Sequence, residues 1–157
     1  MIKASVEPWI EEPLRRFVEE SGTSLALLLH PSGQVLAQYG FTRAMDIMSA
    51  CALAAAINAS ASALGHQLEG KPFSGLHHAG TDRQIFLAEA RTPRGPYIFL
   101  TVFDQDSSLG LVRIYFDEFR TNLANAAPPP VAAPDLMLNE NFERELDRNL
   151  AALFGRA

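Results

Sequence analysis

The sequence predicts an α+β domain in which helices cover the faces of a five-stranded antiparallel sheet. Segments of helical and strand periodicity follow one another in the order helix, two strands, helix, three strands, helix. Short turns separate the neighbouring strands, and strands joined in this way pair antiparallel. Hydrophobic residues make up 48% of the 157 residues and charged residues 20%, as expected for one globular domain.

The first helix is expected over residues 8–21, ahead of Gly22, which favours a helix end. Pro13 has no backbone N–H to donate, so the helix is expected to kink or to begin there. A hairpin follows, with strands over 25–30 and 34–39 around a Pro-Ser-Gly turn.

The middle helix is expected over residues 44–64, where nine residues are alanine, the best helix former. Leu53, Ile57 and Leu64 lie within about 40° of each other at about 100° per residue, so we expect this stripe to face the core. The opposite face is made of small residues: Cys51, Ala55, Asn58, Ala59 and Ser62. That face would let another backbone come close, although a helix buried within its own domain would also favour small residues.

Three strands and a helix complete the domain. The strands are expected over 73–78, 84–91 and 96–104, and the last is apolar on both faces, which is typical of a central strand. Residues 109–124 could be read as a strand from Leu-Val-Arg-Ile-Tyr-Phe. We predict a helix, because the apolar residues keep helical spacing and Ser107 or Ser108 could cap it.

Beyond residue 125 the composition changes. Four prolines occur within residues 126–134, so we divide the chain into a domain over 1–125, a stiff linker over 126–138 and a C-terminal amphipathic helix over 139–157. The apolar stripe of this last helix consists of Phe142, Leu146, Leu150 and Leu153. Its burial requires either the chain's own domain or a partner.

Composition excludes several classes of function. The formal net charge of −5 argues against a nucleic-acid partner, which calls for a basic surface. A single cysteine suits a reducing compartment, and the N-terminal residues lack a signal-peptide core, so a cytoplasmic location is expected. Residues 44–65 are too rich in alanine and serine to insert well into a membrane, and we expect no membrane partner.

We find no residue pattern of an active site and expect no enzyme activity, cofactor or metal. Cys51 lies among alanines and is interpreted as a packing residue. His77 and His78 are adjacent on a strand and therefore point to opposite faces, which disfavours a shared metal ion. Asp104 and Asp106 are interpreted as turn residues before a helix cap. Two loop arginines, Arg43 and Arg94, could serve as arginine fingers but are more typical of solvated surface.

Residues from about 8 to 125 resemble the roadblock/dynein-light-chain family, and within it the bacterial MglB-like branch. The resemblance rests on the hairpin, in which His30 stands where an aspartate is usual, on the alanine-rich middle helix and on two further blocks. The matching blocks are 27–37, 78–80, and Phe103-Asp104 with 107–113. A proline-bearing linker and a short C-terminal helix also occur in that branch.

The resemblance implies a homodimer, with sheets joined edge to edge and middle helices packed antiparallel. It also implies binding to a Ras-like small GTPase of the MglA type, whose hydrolysis such proteins activate in polarity and motility control without supplying an arginine finger. By position, the GTPase-binding residues would be Ala55, Asn58, Ala59, Ser62 and Ala63. The C-terminal stripe would bind the GTPase at a separate surface. The alternative is a scaffold that binds a GTPase or another roadblock protein without accelerating hydrolysis.

Overall fold

The computed structural model describes residues 2–5, 7–41, 45–130 and 144–153. They form an antiparallel sheet between two layers of helix. The strands are β1 (Ile2–Ser5), β2 (Leu25–Leu29), β3 (Val35–Gly40), β4 (Leu76–Ala79), β5 (Gln84–Thr92) and β6 (Gly95–Phe103). The helices are α1 (Glu11–Ser21), α2 (Ile47–Glu69) and α3 (Leu109–Ala126), and residues 144–153 are also helical.

The sheet order is β1-β3-β2-β6-β5-β4. The five expected strands are present and antiparallel, and β6 lies inside the sheet with Tyr97 to Phe103 buried, as its apolar sequence predicts. β1 is a sixth strand that the sequence reasoning missed. It pairs with β3 from Ile2 opposite Gly40 to Ser5 opposite Ala37. Four residues are too few to show a clear alternation, so periodicity gave no signal for it.

Two apolar clusters hold the layers together, one on each face of the sheet. On one face, α1 and α3 pack over a cluster of aromatic rings in which Phe99 lies 4.8 Å from Phe17 and 4.9 Å from Phe119, between ring centroids. On the other face, α2 packs over the leucines of β2 and neighbouring side chains of β5 and β6. The architecture is therefore a sheet with helices on both faces, as predicted.

The helices begin and end at slightly different residues than predicted, and the proline and cap residues at their termini explain the differences. A 3-10 turn over Pro8–Ile10 precedes α1, and Pro13 lies in the first turn of α1, where no backbone donor is needed. Residues 109–126 are helical, and Ser108 caps them by accepting a hydrogen bond from the Leu111 N–H at 3.2 Å. The strand alternative for this segment was wrong.

The middle helix, predicted over 44–64, spans Ile47–Glu69. It begins after Asp46 because that carboxylate accepts hydrogen bonds from the Met48 and Ser49 N–H groups. It ends at Gly70, whose φ of +73° gives the left-handed conformation that closes many helices. Residue 44 lies outside the described residues.

Candidate interaction surface

The middle helix lies on the sheet with its small-residue face, which reverses the predicted orientation. Cys51, Ala54, Ala55 and Gly65 are the buried residues of α2. The prediction that the stripe faces the core was wrong for Leu53 and Leu64, which are exposed, whereas Ile57 packs against the edge of the core. The leucines of β2 already fill the layer between the sheet and the helix. Only the small-residue face of α2 can therefore approach the sheet closely.

Gly65 shows how close this approach is. A Cβ atom at Gly65 would lie 2.8 Å from the Lys71 carbonyl oxygen and 2.8 Å from the Phe73 nitrogen. Both are backbone atoms of the segment that leads from α2 to β4, so they cannot give way as a flexible side chain can. The small residues of this face are therefore explained by packing within the domain.

The displaced stripe forms an apolar surface on the outside of α2. Leu53 is 64% exposed and Leu64 is 49% exposed, while Ile57 is half-buried at the edge of the core. Met48 and Leu68 add further exposed apolar area along the same helix. Only 11% of the most apolar 18-residue window of α2 is buried. We call Leu53, Ile57, Leu64 and Leu68 the aliphatic stripe.

The C-terminal half of α2 lies close to the start of β4. Ala61 is about 60° from Leu64 on the helical wheel, and together with Asn58 it lines a small cavity next to Gly75 and Leu76. β4 is the last strand in the sheet order, and its outer edge has no partner strand among the described residues. The half of α2 that carries the exposed Leu64 and Leu68 therefore lies close to the strand with the open edge.

The helix wheel also separates the five residues predicted to bind a GTPase. Ala55 is 9% exposed and packs on the sheet, and Asn58 and Ser62 are half-buried. Ala59 and Ala63 are exposed. These two residues, with Ala56 and Ser60, form a low ridge beside the aliphatic stripe that a flat partner surface could approach closely.

The start of α2 carries a clear charge effect near this surface. Asp46 accepts a hydrogen bond from the Ser49 hydroxyl at 2.7 Å in addition to the backbone donors at the helix start. These hydrogen bonds, first of all that from Ser49, hold the pKa of Asp46 below its ordinary value. The cap is therefore ionised, and it stabilises the helix N-terminus at neutral pH.

The C-terminal helix offers a second apolar surface. Leu146, Leu150 and Leu153 are all exposed, as is every residue of 144–153. Phe142, the first residue of the predicted stripe, lies outside the described residues, as do 139–141, 143 and the linker segment 131–138. The described part of this stripe is thus uncovered by the domain.

Other residues singled out in the sequence lie in the core, in a turn or on the surface. Cys51 is buried, and desolvation raises the pKa of its thiol, which lowers its reactivity. The Asp104 carboxylate accepts a hydrogen bond from the Asp106 N–H at 2.9 Å, which confirms the turn. Arg94 is exposed in the turn between β5 and β6, and Arg43 lies outside the described residues.

The two adjacent histidines diverge as expected for strand neighbours. The His77 ring stacks near Phe103, with centroids 6.0 Å apart, and its Nε2 is 2.7 Å from the Gln84 Oε1 atom. His78 is exposed on β4. Over the described ranges, no group of three His, Cys, Asp or Glu side chains is placed to hold a metal ion.

Sequence reasoning missed a groove between α3 and the end of β5. It has a volume of about 540 Å³ and includes residues 72–74 in its wall. Arg91 pairs with Glu89 and Arg120 with Asp117, so the charges of the groove largely balance one another. Because the wall comes from three distant segments, no local pattern could have indicated it.

By length and apolar composition, α2 could cross a membrane. This is weak evidence, since helices of water-soluble proteins pass the same test. In this fold the helix packs its small face on the sheet, and the half-buried Asn58 belongs to that packing.

No protein-family model matches the sequence, and no curated protein is similar to it. Solved structures do match. Myxococcus xanthus MglB has a TM-score of 0.68 at 22% identity, over 77% of this chain and 96% of that chain. The gliding protein MglB from Thermus thermophilus has a TM-score of 0.65 at 27% identity, over 76% and 88%. An MglB described as having a tetrameric arrangement has a TM-score of 0.64 at 25% identity, over 75% and 87%.

Proposed function

Since the chain is a roadblock-fold protein of the MglB-like type, we propose that it is a regulatory partner of a Ras-like small GTPase and acts as a homodimer. Its role would be to bind the GTPase of the MglA type and to accelerate GTP hydrolysis in a cytoplasmic polarity or motility system. Similarity to the MglB structures supports this role. The observation that carries the proposal is the exposed aliphatic stripe of α2, a helix whose C-terminal half lies close to β4, the strand with the open edge.

A homodimer would cover both the aliphatic stripe and the open edge of β4. A second copy that pairs its β4 edge with the first would bring the two α2 helices side by side across a two-fold axis. Each aliphatic stripe would then be buried against the other, and both strand edges would gain hydrogen bonds. A symmetric pairing needs one patch that complements itself, and apolar side chains meeting apolar side chains satisfy that condition.

The GTPase would meet the low ridge of α2. Ala59 and Ala63 are exposed there, and two copies side by side would give a broad platform with few bulky side chains. A platform of this kind can favour one arrangement of the GTPase switch loops over another through differential binding. Catalysis would then use the residues of the GTPase. In this chain the thiol of Cys51 is buried with a raised pKa, and the His77 ring contacts Gln84, so both side chains are used in packing.

A single-turnover assay tests the activating role. We expect the full chain, in excess over the cognate GTPase loaded with GTP, to raise the hydrolysis rate at least tenfold. Ala59→Arg should abolish the acceleration and weaken binding, because a long charged side chain would hold the ridge away from the partner. Asn125→Arg adds the same charge on α3, on the other face of the sheet, and serves as the control.

Two results would change the assignment. Binding at saturation without acceleration would leave the scaffold alternative in place of the activator. Equal affinity of Ala59→Arg and Asn125→Arg would exclude the α2 ridge as the contact surface.

The C-terminal helix is proposed as a second contact with the same GTPase. Leu146, Leu150 and Leu153 are exposed and follow a proline-containing linker, so they can reach a partner beside the domain. Deletion of 139–157 should slow or speed nucleotide exchange without changing the oligomeric state. Unchanged exchange and hydrolysis would remove the helix from the GTPase interface.

A further inference from the structure

The edge of the sheet opposite β4 is covered by the start of the chain. Without β1, β3 would be an edge strand, and its backbone groups on that side would face solvent. Instead Ile2–Ser5 pairs with Ala37–Gly40 over four consecutive positions. The cover is short, and a strand of four residues contributes little stability on its own.

The covered part of β3 has the features of a strand that associates easily. Residues 37–40 read Ala-Gln-Tyr-Gly and contain no charged residue and no proline. They pair with β2 without a register shift; the shift in that ladder falls nearer the turn, between Leu28 and Leu29. Edge strands usually avoid pairing with other chains by means of lysine, proline or a bulge. Residues 37–40 contain no lysine or proline, and the bulge of β3, at Leu36, lies just before them. In contrast, β1 carries Lys3 and is followed closely by Pro8.

The number of open edges decides how far edge-to-edge assembly can proceed. A subunit with one open edge forms a closed pair with a second copy, and growth stops. A subunit with two open edges continues to add copies, because each new subunit presents another edge. Covering one edge within the chain is therefore a way to end assembly at two subunits.

We propose that the Ala37–Gly40 edge of β3 is a strand-addition surface for a second copy of this chain, and that β1 occupies it so that assembly ends at the dimer. The limit to two subunits rests on the proposed β4 dimer, but the β3 surface does not depend on it. The tether favours the cover: an attached segment acts at a local concentration of about a millimolar, well above that of free chains in dilute solution.

A proline pair in β1 tests the proposal in the full-length chain. In Lys3→Pro/Ala4→Pro, at least one proline falls where its missing N–H or its ring disrupts the ladder with β3. The matched control is Lys3→Thr/Ala4→Val, which keeps a strand-forming sequence at the same positions. Light scattering after gel filtration gives the mass, and hydrogen exchange of the residue 37–40 amides reports whether β1 has been released.

We expect the proline variant to exchange these amides faster and to have at least twice the mass of the control. Faster exchange with the same mass as the control would overturn the proposal. If the wild type proves to be a monomer and the proline variant a dimer, the β4 dimer fails and the β3 surface stands. If the wild type and the proline variant are both dimers and the amides of the variant exchange faster, the β4 dimer stands and the β3 surface fails.

A disulfide lock covers the case in which the proline variant does not fold. Ala4 and Gln38 are Cα partners in the ladder, so we place the two cysteines of a cross-strand disulfide at these positions. In Ala4→Cys/Gln38→Cys, the reduced protein in urea below its unfolding midpoint should assemble at least tenfold faster than the oxidised protein. Equal rates of assembly would overturn the proposal.

Discussion

Leu53 provides the most direct test of how the outer flank of α2 is used. The side chain is 64% exposed in the single chain, so its substitution should leave the domain itself almost unchanged. Full burial of a leucine side chain contributes about 1.5–3 kcal/mol, and roughly two thirds of this remains to be gained at Leu53. Because each copy in a symmetric dimer contributes one Leu53, Leu53→Ser should weaken association by about 2–4 kcal/mol.

That loss corresponds to a dissociation constant about 30–700 times higher. Sedimentation velocity over a dilution series measures it, and thermal unfolding checks that the domain is intact. Ile114→Ser is the matched control, because Ile114 is 59% exposed on α3, on the opposite face of the sheet. If Leu53→Ser and Ile114→Ser dissociate at the same concentration as the wild type, the aliphatic stripe is not the dimer interface.

Four further predictions concern the framework that holds this surface. Gly65→Ala should lower the unfolding free energy by about 1–3 kcal/mol in denaturant titration, because the backbone overlap outweighs a helix-propensity gain of about 1 kcal/mol; a more stable variant would contradict the close approach. Ser108→Ala removes the cap of α3 and should cost about 1 kcal/mol in the same titration, and no change would show the cap to be dispensable. The lowered pKa of Asp46 means that its stabilising effect is complete above its ordinary pKa and is lost as the pH falls through the lowered value; Asp46→Asn should therefore reduce the acid dependence of the melting temperature, and equal dependence would refute the charge effect. Deletion of 131–157 should leave the melting temperature unchanged, since residues 144–153 are exposed; a large decrease would mean that the tail docks on the domain.

The order of elements was accessible from the sequence because each signal is local. Residues 97–103 are apolar on both faces, and the strand is central in the sheet. The spacing of Val112, Phe116 and Phe119 places all three on one buried face of α3. In these segments the side-chain period of the element and the covered face coincide, so the pattern determines both the type of element and its orientation.

The orientation of α2 was not accessible in the same way. The sequence contains two coherent faces, an aliphatic stripe and a small-residue face, and either could cover a sheet. The choice depends on how much space the leucines of β2 leave and on how closely the segment after α2 passes Gly65. These quantities arise from residues distant in sequence, so periodicity could not rank the two faces.

For the candidate site too, part was determined by local sequence patterns and part by packing. The sequence alone determined an alternation of helices and strands, a middle helix with one narrow apolar stripe and a low face, and a tail with a stripe of its own. Only the tertiary structure decided that the low face packs inward, that most of the stripe is left exposed and that residues 2–5 close one edge of the sheet. The physical reason is that a period describes one element by itself, whereas exposure depends on which other elements have already filled the space around it.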